Sequence, residues 1–411
     1  MLRHTFADFA RFPRQFWLLL AGSLLSSTGA AMVWPFLTIF LRERLDISLT
    51  TIALLLSLNS AAAIVVSFIG GPVADKFGRK GIMVFSLAAG AIYFLLMTQA
   101  ASFWSYAVLI TIWGGVNPLY AIGANAMIAD LVQAEDRTDA YAILRTVHNV
   151  GVAAGPAIGG FIASVSYSAT FYTAAICFGL FCLYTWIMIR ESLPTGSNNA
   201  EARSVQTGFG PVLRDSRFMG FMLMFIITMM AASILWLLLP VYTKENFQLP
   251  ESQYGLLVTV NALMCIFLQV FVTRLARRFS AMPVLAVGAL FYAIGIGSVA
   301  LGSTFAAFMA SMIIMTLGEL IMTPTATTLA ANLSPLEMRG RYMSLFGLAW
   351  PAGSGIGPIA AGWLNDRFSP KAMWVGGLVF GLMSTIGFLG LSLSERKTNR
   401  NQAAQEIDLG L

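Results

Sequence analysis

A single carboxylate buried in an apolar run is the first feature of this chain with chemical meaning. Glu319 stands in Leu317-Gly318-Glu319-Leu320, inside a stretch from about 304 to 331 that holds no other acid. A charge at the centre of a hydrocarbon layer costs about 3 kcal/mol on insertion scales, and such residues are kept where they have a partner or a cavity. Burial disfavours the ionised form of a carboxyl, so protonation there can be linked to exposure on alternate sides. Glu319 therefore reads as a group that couples proton movement or meets a cationic substrate. The plainer reading is a protonated acid hydrogen-bonded inside a helix bundle.

Three further groupings carry chemistry. The run Gly71-Pro72-Val73-Ala74-Asp75-Lys76-Phe77-Gly78-Arg79-Lys80 sets one acid among three cations between two glycines. Asp75 can accept charge-assisted hydrogen bonds there, Gly78 permits a tight turn, and Gly71 permits close helix approach. Further on, Arg145, His148 and Asn149 precede a stripe of Gly151, Gly155 and Gly159 with Pro156 inside it. Glycines four residues apart let two backbones approach closely in lipid, and proline frees a carbonyl and can bend the helix. Arg145 can face a cavity, pair with Asp130 or Asp136, or snorkel to lipid phosphate, and His148 reads as a titrating group or a packing residue. Amides and aromatics that can line a cavity are Trp34, Asn59, Asn117, Tyr120, Asn125, Trp236, Asn261 and Trp350.

The elements that must position these residues follow from composition. Of the 411 residues, 57% are apolar and 11% charged, and the mean hydropathy is +0.75, which excludes a soluble fold. A helix needs about 20 largely apolar residues to cross the hydrocarbon core. Twelve stretches meet that length, near 15–41, 49–74, 81–100, 104–131, 139–165, 168–190, 217–243, 252–275, 282–301, 304–331, 341–366 and 371–394. With the N-terminus inside, 20 of the 25 Lys and Arg residues fall at the inner face, which predicts both termini cytoplasmic. The net charge of +6 then reflects topology and anionic lipid, and no nucleic-acid partner is expected. The first apolar stretch is too long for a cleaved signal and reads as a permanent span.

Other classes find no support in the residues. The two histidines, His4 and His148, and the lone deep acid make no catalytic set, so no enzyme is expected. There is no phosphate-binding loop for a nucleotide-driven pump, and neither a metal nor a cofactor is expected. Cys177, Cys182 and Cys265 lie within apolar stretches and read as small fillers.

One ungapped offset of 202 residues superimposes the two halves. It places Trp34 on Trp236, Glu43 on Glu245, Asn59 on Asn261, Asn117 on Glu319, Arg137 on Arg339, Gly151 on Gly353 and Pro156 on Pro358. The predicted organisation is a six-helix bundle over 1–190, a flexible cytoplasmic linker over 191–216, a second bundle over 217–394 and a cytoplasmic tail over 395–411.

The run from Gly71 to Lys80 matches, at every defined position, the loop motif G-x-x-x-D-R/K-x-G-R-R/K of the major facilitator superfamily, which the chain resembles from end to end. That resemblance implies an all-α polytopic fold of 12 transmembrane helices in two pseudo-symmetric six-helix bundles, with substrate bound near the midplane and access alternating by rocking. It also implies that Arg79 pairs with an acid ending the fourth helix, here Asp130, as a cytoplasmic latch, and that the protein works as a monomer. The second-half copy of the loop is degraded, with Thr273, Arg277 and Ser280 at defined positions. The stripe from Gly151 to Gly160 resembles the motif of the drug:proton antiporter branch, although Ala142 replaces an expected glycine; helix packing explains the stripe equally well. The branch's fourth-helix arginine is missing from Ile112-Trp113-Gly114-Gly115-Val116-Asn117.

These observations lead to a secondary active transporter of the bacterial inner (plasma) membrane, exporting lipophilic or cationic small molecules in exchange for protons. The alternatives are a transporter of one metabolite, such as a sugar or amino acid derivative, and a non-transporting membrane sensor. A cluster of buried basic residues would favour an anionic metabolite, and Arg145 is the one candidate.

Overall fold

The computed structural model describes residues 12–133, 136–192, 209–335 and 338–408. Among them no strand occurs, and fifteen helices follow one another. The first half holds α1 (Arg14–Val33), α2 (Leu37–Leu45), α3 (Leu49–Phe77), α4 (Arg79–Gln99), α5 (Phe103–Leu131), α6 (Arg137–Ala163) and α7 (Tyr167–Met188). The second holds the short α8 (Gly210–Arg214), then α9 (Ser216–Phe247), α10 (Glu251–Ala276), α11 (Ala281–Ser298), α12 (Phe305–Leu333), α13 (Arg339–Gly347), α14 (Ala349–Arg367) and α15 (Ala372–Asp408).

The repeat read from the sequence returns as geometry. The helix pairs α3 and α10, α4 and α11, α5 and α12, and α6 and α13 each begin 202 residues apart. Among the described residues two non-glycines adopt positive φ, Asp46 at 49° and Gln248 at 55°, and they too share the offset. Ser102 and its counterpart Thr304 each accept a hydrogen bond from the backbone N–H three residues on, capping α5 and α12. At the far end of the same helices, Arg137 donates to the Ala129 carbonyl at 2.7 Å and Arg339 to the Ala331 carbonyl at 3.4 Å, which gives two terminal carbonyls a charged partner.

Ten helical segments are long and apolar enough to cross a membrane among the described residues. The other two long segments expected to span, α6 and the pair α13 and α14, are helical but fall short of that apolarity because each is rich in glycine and carries charge near an end. The first predicted span is interrupted by a 3₁₀ turn at Trp34–Phe36, where Pro35 breaks the α-helical ladder. The last runs without interruption to Asp408, so most of the predicted tail continues α15. Large apolar side chains such as Val65, Phe68, Trp186, Phe267 and Phe271 lie exposed on α3, α7 and α10, a surface suited to lipid.

By contact, the chain divides into two compact units. One is Met1–Ser204 with Leu237–Ile266, and the other is Val205–Trp236 with Phe267–Leu411. The C-terminal part of α9 and the first part of α10 therefore pack with the first half. Residues 193–208 of the expected linker and 409–411 of the tail lie outside the described residues.

The glycine stripe of α6 seats that helix on α1. A Cβ at Gly155 would lie 2.5 Å from Ala31 Cβ and 2.8 Å from the Thr28 carbonyl oxygen, and one at Gly159 would lie 2.8 Å from Met32 Cα. Gly353 of α14 repeats the arrangement in the second unit, where a Cβ would lie 2.6 Å from the Met229 carbonyl carbon. On its other side α6 meets α10: a Cβ at Gly160 would lie 2.7 Å from the Glu251 carbonyl oxygen. The stripe's observed contacts are therefore helix packing.

Candidate functional site

In the first unit α1, α4, α5, α6 and α7 line an open cavity of about 440 Å³. Its wall from α6 presents Tyr141, Leu144, Arg145 and His148, residues that share one helical face by their spacing of three and four. From α5 come Asn117, Tyr120 and Asn125, and from α1 come Ser23, Ser26 and Ser27. Leu87 and Phe178 supply apolar surface. Five of the residues singled out in the sequence, Asn117, Tyr120, Asn125, Arg145 and His148, thus converge in one place.

Hydroxyls in this wall are largely committed to the protein. Ser23 and Tyr120 share a hydrogen bond of 3.0 Å, Ser27 donates to the Ser23 carbonyl at 2.8 Å, and Tyr141 donates to the Asn125 carbonyl at 2.9 Å, tying α6 to α5. Asn149, one step around α6 from His148, is half-buried and does not line the cavity.

The other candidates lie elsewhere. Asn59 donates to the Ile110 carbonyl at 3.2 Å, and its backbone is where a Cβ on Gly114 would fall, so it joins α3 to α5. Asn261 is buried at 5% exposure in α10. Trp34 sits in the 3₁₀ turn, Trp236 is half-buried in α9, and Trp350 is exposed near the start of α14. Glu319 is half-buried on α12 in the second unit. Beside it lies Gln269, which the sequence reading missed. Pro324 has no N–H to offer the carbonyl four residues back, and Gln269 of α10 donates to that carbonyl, Leu320, at 3.0 Å. Pro324 was the readable signal that a carbonyl needed a donor; the donor itself was not readable.

At the loop joining α3 to α4, Gly78 adopts φ 84° and ψ 152°, a conformation essentially reserved for glycine. Arg79 Nη1 donates to Asp75 Oδ1 at 2.8 Å and to the Ala74 carbonyl at 3.1 Å. Its Nε lies 3.4 Å from Asp130 Oδ2, an ion pair without a hydrogen bond. The expected pair therefore forms, but Asp75 is the tighter partner. Lys76 lies over the Phe77 ring, 5.5 Å from its centroid. Gly71 is helical within α3, and its surroundings lie outside the described residues.

A second acid completes this corner. Glu191, placed by the sequence at the start of a flexible linker, accepts hydrogen bonds from the backbone N–H groups of Arg79 and Lys80, each at 3.1 Å. A carboxylate on the first N–H groups of α4 satisfies orphan donors and favours the helix dipole. Ser192 then donates to Asp130 Oδ2 at 2.8 Å. The first two linker residues are held, Glu191 because it caps a helix 111 residues away in the chain and Ser192 by its bond to Asp130.

The opposite end of the first unit carries the densest ionic cluster among the described residues. Lys244 Nζ lies 2.6 Å from Glu43 Oε1, from Glu251 Oε1 and from Tyr167 Oη. Tyr167 also donates to Glu251. Beside it Arg42 Nε donates to Glu245 Oε1 at 2.8 Å, and Arg42 also donates to the Ile47 carbonyl. Arg42 and Lys244 are repeat mates, as are Glu43 and Glu245, so the cation of each half pairs with the acid of the other. The signal lay one position away from the Glu43 and Glu245 match already noted.

Two helical repeats in one register, ten segments among the described residues that are long and apolar enough to cross a membrane, and a cavity walled by helices fit a polytopic membrane transporter. The family model of the Major Facilitator Superfamily matches residues 19–250 and again 221–409, and the chain belongs to that superfamily. It is similar to a Na(+), Li(+), K(+)/H(+) antiporter of Planococcus maritimus, 27% identical over 402 residues that cover 90% of this chain and 92% of the antiporter. It is similar too to the multidrug resistance protein MdtH of Citrobacter koseri, 24% identical over 389 residues covering 93% of this chain and 95% of MdtH. Its fold is similar to that of a mutant form of the nucleoside transporter NupG, with a TM-score of 0.79 and 13% identity over 92% of this chain and 100% of NupG.

Proposed function

We propose that this protein is a proton-coupled exporter of amphipathic small molecules, working by alternating access in the bacterial inner membrane as a monomer with both termini cytoplasmic. The observation that carries the reading is the cavity of about 440 Å³ in the first unit, large enough for a drug-sized molecule and lined by both apolar and polar groups. Similarity to a multidrug resistance protein and to a cation/proton antiporter supports export and proton coupling. Glu319 is the residue we assign to proton coupling, and Asp75, Arg79 and Asp130 to the latch at the cytoplasmic end. Of the two expected chemistries, the apolar wall suits a lipophilic molecule, whereas no carboxylate lines the cavity to meet a cation. That same lining favours a second reading, transport of one metabolite bearing an acidic group.

The test is transport into inverted membrane vesicles under an imposed pH gradient, with fluorescent amphiphiles as cargo. Wild type should accumulate cargo, an uncoupler should abolish accumulation, and Glu319→Gln should reduce the gradient-driven part to background. If Glu319→Gln accumulates cargo like wild type, Glu319 does not couple protons.

A further inference from the structure

Within the cavity of the first unit stands a cation with no counter-charge. Arg145 lines it, forms no ion pair among the described residues, and faces a lining that contains neither Asp nor Glu. Arg145 begins eight residues into α6, about 12 Å along the axis, and Asn117 lies on α5 about 21 Å from that helix's last residue. The cavity therefore reaches into the bundle, and Arg145, Asn117 and Asn125 are exposed within it, open to a ligand.

Donor accounting sharpens the point. Ser26 and Ser27 donate to the Ser23 carbonyl, Ser86 donates to the Val116 carbonyl at 2.9 Å, and Tyr141 donates to the Asn125 carbonyl. These hydroxyls offer the cavity lone pairs. The groups left with N–H bonds to give are the Arg145 guanidinium, the His148 imidazole and the side-chain amides of Asn117 and Asn125, and one hydroxyl of the Ser23 and Tyr120 pair can also donate. A guanidinium presents its donors in a fixed fork that matches a carboxylate or phosphonate in two parallel bonds. The rest of the wall, Leu87, Leu144 and Phe178 among it, is apolar.

Resting on the reading of this cavity as the transport site, we propose that it is an anion-recognising subsite in which Arg145, aided by Asn117 and Asn125, binds the carboxylate or equivalent oxyanion of an amphipathic cargo. The cargo class is then an organic acid with an apolar body. An anionic lipid headgroup presents the same chemistry, so the experiment separates the two sources.

The full chain is placed in nanodiscs of phosphatidylcholine alone, and binding of 1-naphthylacetate and 4-phenylbutyrate is compared with binding of their methyl esters. Wild type should bind at least one acid roughly tenfold tighter than its ester, as expected for one charge-assisted contact. Arg145→Gln should erase the preference of acid over ester, and Arg145→Lys should keep part of it. Equal affinity for each acid and its ester, or a preference that survives Arg145→Gln, overturns the proposal. So does a preference that vanishes when phosphatidylglycerol is added, because the cation then serves the headgroup. Should Arg145→Gln fail to fold, Asn125→Leu carries the test, with a reduced acid preference expected and an unchanged one overturning the proposal. Counterflow of the same probes in proteoliposomes keeps the two readings apart. Acid binding without flux sinks the transporter reading alone, and ester flux without acid preference sinks the subsite alone.

Discussion

At Gly78 the requirement for glycine is twofold. Its φ of 84° with ψ of 152° excludes a side chain on backbone grounds, and a Cβ there would run into the Glu191 carboxylate that caps α4. Gly78→Ala should therefore destabilise the protein by about 1–3 kcal/mol. Gly81, three residues on, has open space around its would-be Cβ, and in a helix alanine is favoured over glycine by about 1 kcal/mol. Gly81→Ala should leave stability unchanged or slightly raised. Thermal unfolding of the detergent-purified variants checks the contrast, and equal effects at the two positions would remove the special role of the turn. The glycines of this motif were legible in the sequence because a turn demands a residue type. Glu191 was not, because a capping acid can come from anywhere in the chain, and here it comes from beyond α7.

At α12 a side chain from a neighbouring helix repairs what proline breaks. Pro324 leaves the Leu320 carbonyl without its helical donor, and Gln269 supplies one from α10. Gln269→Leu should cost about 1–3 kcal/mol by leaving a buried acceptor unpaired. In a Pro324→Ala background the helix provides its own N–H, so the same substitution should cost much less. A double-mutant cycle read by thermal unfolding measures this coupling, and additive effects would show that Gln269 acts elsewhere. Helix existence, and the common register of the two halves, could be read from apolar runs and a fixed offset. Helix rotation could not. A span apolar all round has no stripe to mark its inward face, and this is why Asn59 was expected in a cavity and is found holding α3 to α5, while Asn117 and Arg145 do line one. Hydropathy also understates α6, whose glycines serve packing against α1.

On the scale of the whole molecule, duplication produced a reciprocal pair of ionic contacts that has since become unequal. Arg42 meets Glu245 and Lys244 meets Glu43, as a two-fold relation between repeats requires. Arg42 has, besides, only the Ile47 carbonyl, whereas Lys244 also serves Glu251, which is 7% exposed, and Tyr167. Of these acids Glu251 is the buried one, and taking Lys244 from it leaves an uncompensated charge, whereas Arg42 and Glu245 form a partly exposed pair of modest strength. Exchanging the charges of a simple pair restores the attraction, but exchanging those of a shared ion does not. Arg42→Glu and Glu245→Arg should each weaken the packing of the C-terminal part of α9 on the first half, and together they should recover most of the loss. Glu43→Lys with Lys244→Glu should recover little, since a glutamate at 244 would face Glu251 across a space now bridged by an ammonium. Protection of backbone amides in α9 and α10 against hydrogen exchange reads the effect at the right place. Equal rescue by both exchanges would mean that Glu251 and Tyr167 are bystanders and that the two halves still hold each other symmetrically.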